Sequence, residues 1–181
     1  MPTLFGKRVM LREYRQEDLM EMRAWVNDPL VTEMLGSQFL LPQTFEMTEK
    51  FIARRLEGGY NFVIARAEDG AYLGQIDFLN MDLRSRQAEL GIVLGAPSWC
   101  GQGFGSEAVG LMLKFGFAEL NLNRVYLSVA DDNVRAIRCY EKCGFVPEGR
   151  LRQAEYRHGV YHDILMMSVL RAEWLERQRR S

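Results

Sequence analysis

Alternating apolar and polar positions predict the strands of this chain. In the segment RVYLSVA, Val125, Leu127 and Val129 alternate with Tyr126 and Ser128, which is the two-residue period of a half-buried strand. The same reasoning predicts seven strands, in the segments KRVMLREY, YNFVIARA, YLGQIDFLNMD, RQAELGIVLG, NRVYLSVAD, FVPEGRLRQAEY and VYHDILMMSVL. Turns at Asp69-Gly70 and His158-Gly159 join two pairs of these strands as hairpins.

Apolar residues three and four positions apart predict four helices between the strands. These helices lie within RQEDLMEMRAWVNDP, TFEMTEKFIARRLEGG, the segment from about Gly103 to Leu120, and DNVRAIRCYEKCGF. Thr44 is a suitable N-cap for the second helix, and Gly144 is a suitable end for the fourth. The order β-α-α-β-β-β-α-β-α-β-β predicts an α/β fold whose mixed, mostly antiparallel seven-stranded sheet is flanked by about four helices and has one central βαβ crossover.

The composition suits a single domain spanning residues 1–181. Hydrophobic residues make up 48% of the 181 residues and the net charge is -1, so a sizeable core is expected and nucleic acid is not an expected partner. The basic end RQRRS is predicted to be solvated and frayed. No apolar run approaches the roughly 20 residues of a membrane span, so no membrane association is expected.

The cysteines predict a reducing compartment. Cys100, Cys139 and Cys143 are an odd number of cysteines in a chain that starts without an export signal, which favours free thiols and a cytoplasmic location. Cys139 and Cys143 are four residues apart, but no further Cys or His lies close enough in the sequence to complete a metal site. We therefore expect no metal.

Three glycines before the third helix suggest an anion site. Gly101, Gly103 and Gly105 would leave the backbone N–H groups at the helix start bare, and such groups bind phosphate with the help of the helix dipole. A flexible loop or close helix packing explains the glycines equally well.

A dinucleotide site is an alternative interpretation of the same glycines. Gly103-x-Gly105-x-x-Ala108 formally matches the dinucleotide fingerprint, and Asp131 and Asp132 end the next strand, where an acid would bind a ribose. However, the glycines follow their strand only after a long loop, and too few βα units follow to complete a doubly wound sheet. A P-loop is excluded because the chain has no Gly-Lys-Ser/Thr sequence.

Two motifs in combination favour another family. GQGFGSEA at 101–108 and NVRAIRCYEKCGF at 133–145 together resemble the GNAT superfamily of acyl-CoA-dependent N-acyltransferases. The segments LREYRQEDLMEMRAW, AELGIVL and EGRLRQAEYRHGVYHDILMMSVLRAEW are similar to the branch that contains the N-terminal acetyltransferases of ribosomal proteins. The resemblance covers essentially the whole chain. It implies the acyl-CoA N-acyltransferase fold with splayed central parallel strands, and acetyl-CoA as cosubstrate.

The resemblance also implies a set of cofactor contacts. The loop that would hold the CoA pyrophosphate consists of Gly101, Gln102, Gly103, Phe104, Gly105 and Ser106. Val93, Leu94 and Gly95 would pair with the pantetheine arm, and Asn133 would contact the cofactor unless it only caps its helix. Cys100 stands where the family loop begins with Gln or Arg, so a side-chain contact to phosphate is missing there.

Two residues are candidates for the proton transfers. By resemblance, the Tyr140 hydroxyl points at the thioester sulfur, where it can protonate the departing thiolate; a core aromatic is the alternative. Glu89 is the best candidate for the base that accepts the proton of the amine, because a carboxylate on a central strand is costly unless it is paired or functional. A solvated or Arg-paired Glu89, or a water chain as the base, remain alternatives.

The combined interpretation is an acetyl-CoA-dependent N-acetyltransferase. The amine of a small molecule or of a protein N-terminus would attack the thioester directly, with both substrates bound. On the last two strands, Asp163 is a candidate contact for a substrate ammonium, whereas Arg150 and Arg152 either contact an acidic acceptor or close the sheet by ion pairs. A homodimer is compatible with the sequence. The alternatives are a non-catalytic acyl-CoA-binding or sensing module and a dinucleotide-binding oxidoreductase.

Overall fold

The sheet has eight strands, one more than the sequence predicts. The computed structural model describes residues 3–180, apart from the side chains of residues 37 and 38. The strands are β1 (Leu4–Phe5), β2 (Val9–Arg12), β3 (Asn61–Arg66), β4 (Tyr72–Asp82), β5 (Gln87–Leu94), β6 (Arg124–Ala130), β7 (Val146–Arg157) and β8 (Val160–Leu170). Their hydrogen-bonded order is β1-β2-β3-β4-β5-β6-β8-β7. The pairing of β5 with β6 is parallel, whereas β6 with β8 and β7 with β8 are antiparallel.

Six α-helices occur within the described residues. They are α1 (Asp18–Trp25), α2 (Pro29–Thr32), α3 (Phe45–Leu56), α4 (Phe104–Lys114), α5 (Val134–Cys143) and α6 (Arg171–Arg180). Thr44 caps α3 as predicted, because its side chain accepts a hydrogen bond from the backbone N–H of Met47. Gly144 ends α5 at a φ of 103°, the left-handed conformation that glycine adopts without strain. The third predicted helix is regular only as far as Lys114, and it continues as a π-helical turn over Phe115–Glu119.

The described residues form two compact units. Among these residues, the first unit comprises those up to Asp77 together with Ile92–Leu111, and the second comprises Phe78–Gly91 together with those from Met112 onwards. The strands β4 and β5 and the helix α4 each contribute residues to both units.

The core of the first unit lies between its helices and one face of its strands. Ile52 of α3 and Val63 and Ala65 of β3 are fully buried, and Trp25 of α1 donates a hydrogen bond from Nε1 to the Tyr72 hydroxyl at 3.3 Å. Further members of this cluster are Tyr14, Leu19, Met22, Val26 and Val31. The apolar positions of α1 and α3 recur at helical spacing for this reason.

The second unit is organised around β6. The antiparallel register places Val125 opposite Val169 and Leu127 opposite Met167, and all four side chains are buried. The parallel ladder with β5 has three pairs, which end at Glu89 opposite Tyr126, although β6 continues to Ala130. This short ladder agrees with the predicted splayed parallel strands.

The extra strand, β1, depends on a contact that is distant in the sequence. Leu4 and Phe5 pair with Leu11 and Met10 across a turn that Glu107 stabilises by accepting hydrogen bonds from backbone N–H groups of that turn. Two residues are too few for an alternating pattern, and nothing local predicts the turn. The prediction of seven strands is therefore wrong by one short edge strand.

Two helices were also missed. The sequence analysis predicts no helix after the segment that ends in Asn27, Asp28 and Pro29. Asp28 nevertheless caps α2 by accepting a hydrogen bond from the backbone N–H of Leu30 at 2.9 Å, and Pro29 occupies the first turn of that helix. The basic end is helical through Arg180 rather than frayed, and Ser181 lies outside the described residues.

A tertiary contact explains the helix at the basic end. The ring of Trp174 packs 5.5 Å from that of Phe117, and Arg177 donates to the carbonyl of Lys142 at 2.8 Å.

Within the described part of the chain, no helix is both long and apolar enough to cross a membrane.

A partly buried ion pair joins α3 to β4. Arg55 of α3 donates from Nη2 to Oδ2 of Asp77 at 2.7 Å, while Oδ1 of Asp77 is buried without a hydrogen-bond partner among the described residues. Burial raises the pKa of Asp77 to about 6, although the charge of Arg55 acts to lower it.

We expect Asp77 to make stability depend on pH in an unusual direction. Between its ordinary pKa near 3.8 and its folded pKa of about 6, the folded protein holds a proton that the unfolded chain has released. The free energy of unfolding of the wild type should therefore fall, relative to that of Asp77→Asn, by about 2 kcal/mol as the pH rises from 4 to 6.

Urea denaturation at several pH values measures this difference. The exposed Asp69 provides the control, since Asp69→Asn should show no comparable trend in this window. The prediction would be contradicted if the free energy of unfolding of the wild type, relative to that of Asp77→Asn, stayed constant or rose between pH 4 and pH 6.

Candidate active site

The glycine loop has the backbone geometry of an anion site. Gly101 and Gly103 have φ angles of 77° and 89°, in the left-handed region, and α4 begins at the next residue, Phe104. The first helical hydrogen bond runs from the N–H of Glu107 to the carbonyl of Gly103 at 3.1 Å. Helical geometry provides no intrahelical partner for the N–H groups before Glu107, so this helix start can bind a negatively charged group.

Two charged residues brace this loop, and the sequence analysis assigned a role to neither. Glu107 accepts backbone hydrogen bonds from Lys7 and Arg8, and the Arg8 side chain donates to the carbonyl of Gln102 at 2.8 Å. The Arg8 guanidinium also lies over the Phe104 ring, 5.2 Å from its centroid. Partial burial acts to raise the pKa of Glu107, but the backbone hydrogen bonds from Arg8, Val9 and Lys7 hold it below its ordinary value. Glu107 is therefore a structural anchor for the loop.

We expect Gly103→Ala to weaken acetyl-CoA binding. An added Cβ would lie 2.7 Å from Nη2 of Arg8, and the φ of 89° is strained for alanine by about 1–3 kcal/mol. The dissociation constant for acetyl-CoA, measured by calorimetry, should rise about tenfold or more, since each 1.4 kcal/mol corresponds to a factor of ten.

Gly110→Ala is the matched control for this prediction. Gly110 lies on the same helix, and an added Cβ would meet no atom within 4 Å. It should leave acetyl-CoA binding unchanged and stabilise the helix slightly. Equal affinities of the two variants would show that the loop conformation is unimportant for binding.

The end of β5 lies close to β4 in the first unit. Gly95 donates its N–H to the carbonyl of Leu73 at 2.9 Å, and a Cβ on Gly74 would lie 2.1 Å from the carbonyl oxygen of Val93. A Cβ on Gly95 would lie 2.6 Å from the indole of Trp25. Gly95 is thus required by close packing, whether or not it also contacts a cofactor.

Cys100 is part of a short turn before the loop. Its Sγ is 3.8 Å from the carbonyl oxygen of Ala96, and its side chain is partly buried. The thiol lies against this turn, and it has no amide or guanidinium group that would replace the missing Gln or Arg side chain.

Asn133 caps α5 in the second unit. Its Oδ1 accepts a hydrogen bond from the backbone N–H of Ala136 at 3.2 Å, so the capping role considered for this residue is observed. This hydrogen bond orients the start of the helix that carries Tyr140.

Tyr140 is partly buried against Phe145. The two ring centroids are 5.8 Å apart, and the hydroxyl forms no hydrogen bond with another described residue. Burial raises the pKa of Tyr140, and the neighbouring thiols of Cys139 and Cys143 act in the same direction. The phenol therefore stays protonated at neutral pH, which is the form that a proton donor requires.

Glu89 is held by an amide and not by an arginine. Asn80 of β4 donates from Nδ2 to Oε2 of Glu89 at 2.7 Å, and Tyr126 of β6 lies opposite Glu89 in the parallel ladder. No Lys, Arg or His of the described residues forms an ion pair with it. Burial, followed by the charge of Glu89, raises the pKa of Tyr126. The Arg-paired alternative for Glu89 is thus not observed.

Cys143 of α5 lacks the lowered pKa of a nucleophilic cysteine. A hydrogen bond to Cys139 and then burial raise the pKa of Cys143, which keeps it a thiol at neutral pH. A nucleophilic cysteine requires the opposite shift. This environment argues against an acyl-cysteine intermediate at Cys143.

Ion pairs on the final hairpin occupy the residues considered for substrate contact. Arg150 donates to Oδ2 of Asp163 at 2.8 Å, and the backbone N–H of Gln153 donates to Oδ1 at 2.7 Å. Arg150 therefore closes the sheet by ion pairs, which is one of the two predicted alternatives. Asp163 is already neutralised and is a poor candidate for binding an ammonium group.

The predicted residues thus fall into two groups. The glycine loop and Val93, Leu94 and Gly95 belong to the first unit, whereas Glu89, Asn133 and Tyr140 belong to the second.

Sequence reasoning missed Arg8, Glu107 and Asn80. Glu107 lies within the recognised loop motif, whereas no sequence signal distinguishes Asn80, since Asn61 lies in a strand without a positive φ.

Comparisons with known proteins identify the family. A model of the acetyltransferase (GNAT) domain matches residues 8–146. The uncharacterized N-acetyltransferase p20 of Bacillus licheniformis is 34% identical over 177 residues, covering 96% of this chain and 99% of the relative. YdaF of Bacillus subtilis, which is named as a putative ribosomal N-acetyltransferase, is 35% identical over 106 residues. The match covers 59% of this chain and 57% of the relative.

A solved structure extends the similarity to the fold. The spermidine N-acetyltransferase of Vibrio cholerae, in complex with CoA and spermine, has a TM-score of 0.83 and 27% identity, covering 94% of this chain and 99% of the other. These matches agree with the predicted acyltransferase and not with a dinucleotide-binding oxidoreductase. This chain therefore belongs to the GNAT acetyltransferase family and is an acetyl-CoA-dependent N-acetyltransferase that acts on amines.

Proposed function

We propose that the chain transfers the acetyl group directly from acetyl-CoA to a primary amine, without an acyl-enzyme. The neutral amine nitrogen attacks the thioester carbonyl, the C–N bond forms, and the C–S bond breaks to release the CoA thiolate. One proton leaves the nitrogen and one proton joins the sulfur, so the products are an N-acetyl amine and CoA with a free thiol. The thiol character of Cys143 supports direct attack over a cysteine-bound intermediate.

Glu89 and Tyr140 account for the two proton transfers. Glu89 accepts the proton of the attacking amine, and Tyr140 donates a proton to the departing sulfur. The hydroxyl of Tyr140 is protonated and makes no hydrogen bond to the described residues, and Oε1 of Glu89 likewise accepts none. Both groups are therefore available for a substrate.

The backbone of the glycine loop is the proposed binding site for the CoA pyrophosphate. Gly101 and Gly103 supply the left-handed geometry, Gly105 keeps the first turn of α4 free of a side chain, and the residues Gln102, Phe104 and Ser106 complete the loop. Val93, Leu94 and Gly95 of β5 are proposed to bind the pantetheine arm, with Asn133 as a further cofactor contact beyond its capping role.

A polyamine is the acceptor best supported. The similarity to the spermidine N-acetyltransferase of Vibrio cholerae extends over 94% of this chain, and that structure contains CoA and spermine. A protein N-terminus is the second candidate, because YdaF is similar over residues that amount to 59% of this chain. Both acceptors present a primary amine, so the proposed chemistry is the same.

An acceptor panel tests the function. Release of free thiol from acetyl-CoA is followed with spermidine, spermine, N-terminal peptides and an amino sugar, and the product is identified by mass spectrometry. We expect the highest kcat/KM with a polyamine. Turnover with peptides alone would select the protein acceptor, and no turnover with any amine, despite tight acetyl-CoA binding, would favour a sensing module.

Further properties follow as proposals of the same kind. We propose that residues 1–181 act as one acetyltransferase domain, and that the protein works in the cytoplasm, where Cys100, Cys139 and Cys143 remain reduced. A homodimer is also proposed, and light scattering at several protein concentrations tests it.

A further inference from the structure

The backbone of β4 is unusual at Asn80. Its φ angle is 44°, in the left-handed region, although the residues on both sides belong to the strand. Asparagine tolerates this conformation better than most residues, but the conformation still costs free energy. Strained backbone in a regular strand therefore calls for a compensating contact.

The compensating contact is the hydrogen bond to Glu89. The distance of 2.7 Å between Nδ2 and Oε2 is short for an N–H···O bond and typical of one to a charged acceptor. The bond holds one carboxylate oxygen of Glu89, while Oε1 accepts no hydrogen bond from the described residues. The side chain of Glu89 thus has one held oxygen and one oxygen available for a proton.

The other groups around Glu89 do not provide this orientation. From β6, the phenol of Tyr126 lies opposite Glu89, and the Arg124 guanidinium stacks over the Tyr126 ring at 4.6 Å. Arg124 is itself paired with Glu148, and Asp82 of β4 accepts from backbone N–H groups of its own turn. Among the described residues, Asn80 makes the directional contact with Glu89.

We propose that Asn80 is a positioning residue for the general base, whose carboxylate it orients through this hydrogen bond. The inference rests on the proposed role of Glu89 in accepting the amine proton. A hydrogen bond to a carboxylate stabilises its charged form, so the loss of this bond should lower the rate and change its dependence on pH.

Asn80→Gly tests the proposal without backbone strain. Glycine adopts a φ of 44° freely but has no amide to donate. The kcat should fall about tenfold, a fraction of what a general base contributes, and the acidic limb of the pH profile of kcat/KM should move to higher pH. Asn80→Asp, which places a second carboxylate beside Glu89, should move that limb further in the same direction.

Asn121→Gly is the matched control. Asn121 is also exposed and left-handed, with a φ of 53°. The same substitution there should leave the rate and the pH profile unchanged. Melting temperature and acetyl-CoA affinity of every variant verify that the fold and the cofactor site are intact.

The effect of Asn80 should also depend on Glu89. In the Glu89→Gln background, Asn80→Gly should cause no further loss of kcat and no shift of the pH profile. A folded Asn80→Gly variant with the wild-type pH profile would overturn the positioning role, even if Glu89→Gln is inactive. If Glu89→Gln instead retains full activity, the proposed base is wrong, and that result is separate from any effect of Asn80.

Discussion

Tyr140→Phe should lower kcat about a hundredfold, because a positioned general acid contributes roughly a hundredfold or more to a proton-transfer step. The substitution removes only the hydroxyl. The phenol has a raised pKa through burial and makes no hydrogen bond with the described residues, so its loss deprives the departing thiolate of a proton and disturbs little else. Steady-state thiol release with saturating acetyl-CoA and spermidine measures the effect.

The affinity for CoA separates a catalytic Tyr140 from a packing role. The Phe145 contact involves the ring and should persist, so the dissociation constant for CoA and the melting temperature should stay near those of the wild type. Tyr156→Phe, which removes an exposed phenol of β7, should retain full activity. If Tyr140→Phe turns over at the wild-type rate, Tyr140 is a core aromatic and another group protonates the sulfur.

Glu89→Gln should lower kcat/KM by about two to three orders of magnitude, within the range expected for the loss of a general base. Glutamine keeps the shape of the side chain but cannot accept the proton of the amine at neutral pH. The acidic limb of the pH profile should disappear with the activity, because the group that must ionise is absent. The profile is measured as kcat/KM for spermidine under saturating acetyl-CoA.

A spectroscopic signal verifies the same substitution independently of activity. The charge of Glu89 contributes, after burial, to the raised pKa of Tyr126, so Glu89→Gln should lower the pKa of that phenol in an ultraviolet titration. Glu141→Gln, an exposed carboxylate of α5, should change neither the rate nor the titration. A Glu89→Gln variant with an unchanged pH profile would assign the proton transfer to a water chain instead.

Local sequence patterns were sufficient for most elements and for the loop. The alternation of Val125, Leu127 and Val129 predicts β6 because those side chains are buried on one face. The glycines before Phe104 predict a loop without side chains at a helix start, and Gly101 and Gly103 have left-handed φ angles that glycine adopts without strain. The combination of the loop and the helix carrying Tyr140 was also sufficient to recognise the family that the comparisons identify.

Contacts between distant residues decided the remainder. β1 depends on Glu107, about a hundred positions away, and α6 depends on the ring of Phe117 and the carbonyl of Lys142. Hydrophobic period and turn chemistry describe only neighbours along the chain, so they contain no information on such partners.

The candidate base shows the same division most clearly. Its strand and its polarity were readable from AELGIV, but whether the charge was solvated, paired with arginine or functional remained open. The fold excludes the pairing with arginine and places Nδ2 of Asn80, a left-handed residue of β4, 2.7 Å from Oε2 of Glu89. The sequence alone determined which residue types lie on each strand, whereas only the tertiary structure decided their partners, because hydrogen bonds depend on distances that the linear order does not specify.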